Sequence, residues 1–390
     1  MGLITLPIIA RALGPESYGN YNLVNIVLLY TALPMAILGL RSYGIREIAA
    51  KRKETSYAND ILSMQSSITL FATLISLLIC FFLFENNYLL ITALIFGYVS
   101  VFARSLDLEF FYVSQKNLAF PTYASLFGQV FYVIGVILFI KSPSDFPLLV
   151  FLGSITIIIS DIIQIAKYHK QYHRFRLKLK IKDTIETFKK TFVLGISQNL
   201  EGFIPTIPQI LLPIFASVYA LGIVTAGMRI YAIIILFYST FFYALAPYLV
   251  QMDGYPIAKK KKYHLFILGI LIFIGTVIGL LLYFLGEPIV LLLLGKGFGE
   301  SIIIFKIISI TLIPIMPIIM LFGNILIYSG NEKYYLYSLI LNGIVTLLLS
   351  YFLISKYQAI GAVYVMIFAS IVSLISLIYF YYKIELVESK

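Results

Sequence analysis

Apolar runs of about twenty residues recur along this chain, separated by short charged or glycine-containing stretches. Runs of that length fit a transmembrane helix. Transmembrane strands would alternate between apolar and polar residues, whereas these runs are continuous. Hydrophobic residues make up 61% of the 390 positions and charged residues only 12%, too few to cover a water-facing surface. The sequence therefore predicts an all-α integral membrane protein.

The charges between the runs predict where each span begins and ends. An incomplete first span at 1–12 precedes full spans at 20–40, 61–84, 87–113, 121–140, 147–166, 191–216, 219–249, 264–285, 302–328, 335–354 and 359–382. We therefore expect about 12 transmembrane helices, the first of them truncated.

Basic residues are concentrated in the loops after the even-numbered spans, above all in 167–190, KYHKQYHRFRLKLKIKDTIETFKK. Lysine and arginine are enriched in cytoplasmic loops. The pattern predicts a multi-pass protein of the cytoplasmic (inner) membrane, with the N-terminus and the C-terminus in the cytoplasm. It also accounts for the net charge of +11 without a nucleic-acid partner.

The two halves of the chain resemble each other at matching places. LPIIA at 6–10 corresponds to LPIFA at 212–216, and ALGPESYG at 12–19 corresponds to ALGIVTAG at 220–227. The second pair predicts a short glycine turn between two helices in each half. Parallel repeats of this kind occur in two-lobed transporters.

The repeat predicts two six-helix lobes. We expect an N-terminal lobe at 1–166, a basic cytoplasmic linker at 167–190 and a C-terminal lobe at 191–390. The repeat places the start of the first helix upstream of residue 1, so we expect helix 1 to be incomplete here.

Several charged residues fall inside predicted spans. A charge at a helix centre costs roughly 2.5–3.5 kcal/mol, so such groups usually face a cavity or a partner. Arg229 and Arg104 are the cationic candidates for a wet lumen. Glu201, Gln198 and Asn199 lie beside glycine and proline residues that interrupt helical hydrogen bonding, which is tolerated in a membrane next to a cavity.

Other polar residues have more ordinary interpretations. The i,i+3 spacing of Arg104 and Asp107 predicts an ion pair within one helix. Asp161 and Gln164 lie near a predicted inner helix end, where we expect an interfacial position. Candidates for a gate or rim are found at helix ends or near the outer face, and these are Arg11, Arg41 and Lys306.

Motifs for catalysis and metal binding are missing. Cys80 is the single cysteine, and the pair His169 and His173 has no accompanying carboxylate. The sequence contains neither a nucleotide-binding GxxxxGK[ST] nor HExxH. We therefore expect no metal, no cofactor and no enzymatic activity.

Three stretches resemble a known family: PIIARALGPESYGNYNLV, LGLRSYGIREIA and SKYQAIGAVYVMIFASIVS. They are similar to Wzx-type flippases for O-antigen and polysaccharide repeat units, within the multidrug/oligosaccharidyl-lipid/polysaccharide exporter superfamily. The resemblance implies two six-helix bundles around a cavity that opens alternately to each side. It implies transport of undecaprenyl-pyrophosphate-linked oligosaccharide for O-antigen, capsule or exopolysaccharide assembly, with a polysaccharide polymerase and chain-length proteins as possible partners.

The candidate residues suit such a substrate. Arginine binds phosphate well because its planar fork of donors is always charged. We expect Arg229 and Arg104 to contact the pyrophosphate, and Glu201, Gln198 and Asn199 to contact sugar hydroxyls.

Other functions remain open at this point. One is a flippase for another lipid-linked glycan, and a second is a cation-coupled multidrug exporter using acids such as Glu201 or Asp161. A membrane polymerase or glycosyltransferase is a third, although no predicted outer loop is long enough for the usual active-site loop of such enzymes.

Overall fold

The structure is a computed structural model that describes residues 2–31, 39–50, 57–177, 203–252 and 255–388. Within these ranges the chain is helical and contains no strand. The chain divides into two compact units, Met1–Gly202 and Phe203–Lys390.

The first unit contains helices α1 to α7. These are α1 Gly2–Thr31, α2 Leu40–Ala49, α3 Tyr57–Leu83, α4 Tyr88–Arg104, α5 Glu109–Ser114, α6 Ala119–Phe139 and α7 Phe146–Gln171. A break at Gly14 (φ 68°, ψ 173°), followed by Pro15, interrupts α1. Glycine tolerates this positive φ, and proline readily begins a new helical segment. The turn predicted over 12–19 is therefore confined to one non-helical residue.

The second unit contains helices α8 to α13. These are α8 Ile207–Phe215, α9 Val218–Met252, α10 Ile257–Leu293, α11 Glu300–Ile310, α12 Ile315–Tyr328 and α13 Glu332–Glu388. The predicted span 302–328 is bent by 51° between α11 and α12. Pro314 lies at this bend and has no backbone donor for a continuous helix.

The glycine turn predicted at 220–227 is wrong. These residues lie inside α9, which is helical from Val218 onward. The chain turns earlier, at Ala216 and Ser217, where Ala216 leaves helical geometry (φ −132°, ψ −96°). This agrees with the gap between the predicted spans 191–216 and 219–249 rather than with the glycine pattern.

Helix α13 is a hairpin broken at Gln358 (φ 49°, ψ −123°). Asn342 donates to the carbonyl of Ala369 at 3.0 Å and to Ser373 Oγ at 2.7 Å, and Ser338 pairs with Ser376 at 2.5 Å. These pairs are centred near Gln358, so the two arms run antiparallel. The arms correspond to the last two predicted spans, and the turn between them is tighter than the sequence indicated.

Seven helices in the described ranges are long and apolar enough to cross a membrane, or up to eight if the bent α11–α12 pair is one span. That count treats α13 once, although its hairpin returns the chain to the side from which it came. The molecule is an all-α integral membrane protein.

One predicted span of the first unit is broken. The span at 87–113 is divided into α4, which ends at Arg104, and α5, which begins at Glu109. Helix α2 packs beside this break, because Leu40 and Ile48 share a buried cluster with Phe110 and Phe111 of α5. Gly44 of α2 allows the close approach, since a Cβ there would meet Phe110 at 3.0 Å.

Candidate functional site

The break between α4 and α5 exposes backbone groups that an unbroken helix would satisfy. The last turn of α4 tightens, with the Ser105 N–H bonded to the Phe102 carbonyl at 3.0 Å. At the start of α5, Asp107 Oδ1 accepts the Glu109 N–H at 2.9 Å. A carboxylate at a helix N-terminus is favourable because the helix dipole is positive there.

Arg41, in the first turn of α2, reaches into the same break. Its Nη1 lies 3.0 Å from Asp107 Oδ2, and its Nη2 donates to the carbonyl of Arg104. A cation beside the C-terminus of α4 is stabilised by the helix dipole. The predicted ion pair between Arg104 and Asp107 is wrong, because α4 ends at Arg104 and the Asp107 carboxylate turns to Arg41 instead.

A polar cavity of about 380 Å³ opens beside this break, inside the first unit. Its lining comes from the end of α4, the break, and helices α5, α6 and α7. The residues are Arg104, Asp107, Glu109, Pro121, Thr122, Ser125, Leu126, Gln129, Thr156, Ile157, Ser160, Asp161 and Gln164.

Two acceptor atoms in the cavity wall lack a donor. Asp161 and Gln164 on α7 are 5% and 3% exposed, and neither Asp161 Oδ2 nor Gln164 Oε1 accepts a hydrogen bond from the described residues. The rest of Gln164 is fixed, since its Nε2 donates to Ser160 Oγ at 3.3 Å and its carbonyl accepts from Tyr112 Oη at 2.8 Å. The structure buries both side chains within the unit, and the interfacial depth expected for them in the membrane stays a prediction.

Glycines hold the two main walls of the cavity together. A Cβ on Gly128 of α6 would lie 2.5 Å from the carbonyl oxygen of Thr156 on α7, and one on Gly135 would lie 2.7 Å from the Leu152 side chain. Helices α6 and α7 therefore approach as closely as they do only because both positions lack a side chain. The polar residues of the two helices consequently share one cavity.

The chemistry of the cavity is that of a binding site for a charged or hydroxylated group. The exposed Arg104 supplies guanidinium donors for an anion, while Asp161 and Gln164 supply acceptors for a hydroxyl or a cation. Within the described ranges, no three His, Cys, Asp or Glu side chains are placed to hold a metal ion.

The other predicted site residues have different positions. Arg11 is exposed on α1, and Arg229 is exposed on α9 beside the buried Tyr231. Lys306 is half-buried on α11, with its side chain packed over Gly286 of α10. Gln198, Asn199 and Glu201 lie outside the described residues. Within the first unit, the predicted cations Arg41 and Arg104 lie together, since the Arg41 guanidinium donates to the Arg104 carbonyl.

Sequence reasoning missed most of the cavity wall, although a signal was present. Polar residues recur at helical spacing along two apolar spans, as Thr122, Ser125 and Gln129 on α6, and as Thr156, Ser160 and Gln164 on α7. Each set lies on one face of its helix. A polar stripe on each of two consecutive apolar helices indicates a shared polar interior.

Comparisons with known proteins agree with this architecture. A family model described as "Polysaccharide biosynthesis protein" matches residues 1–253. The chain belongs to this family. Over 392 aligned residues it is 29% identical to the capsular polysaccharide biosynthesis protein CapF of Staphylococcus aureus, covering 98% of this chain and 95% of that relative.

Solved structures show which fold this member of the polysaccharide biosynthesis protein family has. The lipid II flippase MurJ in an inward closed conformation matches with a TM-score of 0.70 and 17% identity, over 97% of this chain and 84% of MurJ. An inward-facing multidrug resistance MATE family transporter of the MOP superfamily also gives 0.70, with 15% identity over 97% and 91% of the two chains. The family member therefore shares the fold of these two membrane proteins.

Proposed function

We propose that this protein moves a lipid-linked saccharide, an undecaprenyl-pyrophosphate-linked repeat unit, across the cytoplasmic membrane for surface polysaccharide assembly. The observation that carries the proposal is the cavity of the first unit, where the Arg104 guanidinium lines a polar space within an apolar bundle. Family membership and the flippase fold support a transporter rather than an enzyme.

The cavity suits part of such a substrate. Its volume of about 380 Å³ is at the lower end of the range for small-molecule sites. A pyrophosphate or a single sugar unit fits this size better than a whole repeat unit. In the proposed mechanism Arg104 holds the anionic group, hydroxyl and amide side chains bind sugar hydroxyls, and the polyprenyl tail stays in lipid while the protein alternates between its two open states.

Reconstituted flipping tests this proposal. Proteoliposomes carrying undecaprenyl-pyrophosphate-linked oligosaccharide are sampled with a membrane-impermeant lectin that reports saccharide in the outer leaflet. Arg104→Ala should slow flipping by about 10- to 100-fold, the range for losing a hydrogen bond to a charged group, while Arg104→Lys retains part of the rate. Lys141→Ala, which removes an exposed lysine outside the cavity, should flip at the wild-type rate.

The outcome separates the proposal from its alternatives. Wild-type flipping by Arg104→Ala, with the variant present in the membrane in normal amount, would remove the role of this cavity. Flipping of a different lipid-linked glycan in place of the repeat unit would keep the mechanism and change the substrate.

A second candidate function is cation-coupled export. It is favoured by the buried acceptor atoms Asp161 Oδ2 and Gln164 Oε1, which accept no hydrogen bond from the described residues. A buried carboxylate oxygen without a donor is costly unless it binds a proton or a cation. If Asp161 takes up the coupling cation, flipping or export should accelerate under an imposed proton or sodium gradient, and Asp161→Asn should remove that acceleration. Glu85→Gln, at an exposed acid between α3 and α4, provides the control. Gradient-independent transport by the wild-type protein would exclude coupling.

A further inference from the structure

Three helix ends meet at one end of the second unit. The buried His264, near the start of α10, bonds through Nδ1 to Tyr381 Oη at 3.0 Å, near the end of α13. The start of α13 joins the same group, because the rings of Tyr334 and Phe380 lie 5.1 Å apart. The chain therefore brings together basic segments that are far apart in sequence.

Lysines at these helix ends lie over tyrosine rings. The Lys261 ammonium lies 5.2 Å from the ring centre of Tyr382, which links α10 to α13. Lys383 lies 5.9 Å from the ring of Tyr334, which links the two ends of α13. Lys259 lies 4.3 Å from the Tyr255 ring, and Lys333 lies 5.1 Å from the Tyr334 ring. Such cation–π contacts restrict where the ammonium groups can move.

We call this surface the Lys–Tyr collar. It consists of Tyr255, Lys259, Lys260, Lys261, Lys262, Tyr263, Lys333, Tyr334, Tyr379, Tyr382 and Lys383. It contains six lysines, and the sequence places three acids at the two ends of α13, Glu332 at its start and Glu385 and Glu388 at its end. The lysines outnumber these acids, so the collar carries a net positive charge.

An exposed apolar surface continues along α10 from the collar. On α10 the run of lysines is followed by exposed apolar side chains, of which Phe266 and Phe273 are 66% and 70% exposed. A helix of 37 residues is about 55 Å long, longer than the roughly 30 Å hydrocarbon core. A helix of this length can cross the hydrocarbon core with its lysine-bearing start among the headgroups. Tyrosine is one of the residues that favour this depth.

We propose that the Lys–Tyr collar binds the phosphate headgroups of anionic phospholipids, with the acyl chains lying along the exposed face of α10. Charge complementarity and the continuous apolar surface argue for a lipid as the occupant, since a soluble anion would use the lysines but gain nothing from the apolar face. The concentration of lysines predicts the cytoplasmic leaflet. The inference is independent of the proposed transport function.

Lipid titration of the purified full-length protein tests the collar. Native mass spectrometry in detergent measures the affinity for dioleoyl phosphatidylglycerol and for dioleoyl phosphatidylcholine. The variant Lys259→Gln/Lys261→Gln/Lys383→Gln should bind phosphatidylglycerol about 100-fold more weakly and leave phosphatidylcholine unchanged. The matched control Lys141→Gln/Lys296→Gln/Lys356→Gln removes the same charge from loops predicted on the opposite side, and it should bind like the wild type.

Each result decides the matter. The proposal is overturned if both triple variants lose the same amount of affinity for phosphatidylglycerol. It is also overturned if the wild type binds the two lipids equally well. Complete displacement of phosphatidylglycerol by inorganic pyrophosphate would identify a site for soluble anions and also overturn it. If the triple variant does not fold, the single variants Lys261→Gln and Lys383→Gln should each weaken binding by about 5-fold. Because no transport is measured, failure here leaves the proposed function standing.

Discussion

The guanidinium of Arg41 lies 3.0 Å from the carboxylate of Asp107, Nη1 to Oδ2, across the break between α4 and α5. The other oxygen of the same carboxylate accepts the Glu109 N–H at the start of α5, and Arg41 also donates to the last carbonyl of α4. One ion pair thus joins α2 to both ends of the broken helix. Since Asp107 lines the cavity, the pair also fixes the position of one cavity wall.

Arg41→Ala should destabilise the protein by about 2 kcal/mol, because it leaves a partly buried carboxylate and a helix C-terminus without their cation. The measurement is thermal unfolding in detergent, where the midpoint should fall by a few degrees. Asp107→Asn should cost less, because an amide oxygen can still cap α5.

Arg46→Ala is the matched control for the ion pair. Arg46 lies on the same helix and pairs with its neighbour Glu47 at 3.4 Å, but its side chain is 64% exposed. Exposed pairs contribute little, so the midpoint should stay within experimental error of the wild type. Equal destabilisation by Arg41→Ala and Arg46→Ala would contradict the role given to the pair with Asp107.

Gly128→Ala should separate α6 from α7, because the added Cβ would lie 2.5 Å from the Thr156 carbonyl oxygen. We expect a loss of about 1–3 kcal/mol in stability and a marked drop in transport, since the polar residues of the two helices no longer share one cavity. Thermal unfolding and proteoliposome flipping measure the two effects.

Gly153→Ala on α7 offers the comparison, because nothing lies within 4 Å of a Cβ at that position. Alanine is favoured over glycine in a helix, so this variant should be as stable as the wild type or more so. A stable, active Gly128→Ala protein would refute the close approach of α6 and α7.

Two neighbouring substitutions in the α13 hairpin should change the stability of the protein in opposite directions. Gln358→Gly should stabilise the protein by roughly 1 kcal/mol, because glycine adopts the positive φ of 49° without strain. Gly361→Ala should prevent normal folding, because its Cβ would collide with the carbonyl of Leu353 on the other arm. Unfolding midpoints measure both, and stabilisation by Gly361→Ala would show that the arms do not meet at that position.

Asn342→Leu should loosen the same hairpin, since the Asn342 amide joins the two arms through Ala369 and Ser373. Interhelical hydrogen bonds in membranes contribute about 0.6 kcal/mol on average, so the loss should be of that order. Asn324→Leu serves as the control, because the Asn324 amide donates to Met320 of its own helix. A larger loss from Asn324→Leu than from Asn342→Leu would contradict this assignment.

Cysteine labelling can test access to the cavity of the first unit. Cys80 is the sole cysteine, so a Cys80→Ser background accepts single probes. Ser125→Cys on the cavity wall should react with a charged maleimide, and Phe127→Cys, which is 53% exposed on another face of α6, should react slowly because lipid surrounds it. Equal reactivity at the two positions would show that the cavity is not wet.

The helical membrane fold was predictable because long apolar runs have few other solutions. The breaks in the helices within these runs were harder to predict from the sequence. Pro314 could have signalled the bend between α11 and α12, but Ser105 to Leu108 contains neither glycine nor proline, and the break there is held by Arg41 from a distant helix. Contacts between distant segments leave no local pattern in a sequence.

The residues of the cavity were only partly predictable from the sequence. Arg104 was found because a charge in an apolar span is conspicuous, whereas Asp161 was assigned to an interface from its distance to a predicted helix end. Helix α7 continues to Gln171, beyond the predicted end at 166, which places Asp161 deeper in its helix than expected.

The hairpin of α13 bears on how the chain enters the membrane. The hydrogen bonds between its arms join residues within 38 positions of each other, so they can form as soon as the last segment has been synthesised. Because one residue, Gln358, separates the arms, neither arm can cross the bilayer far ahead of the other. The two final spans are therefore expected to leave the insertion machinery as a preassembled pair.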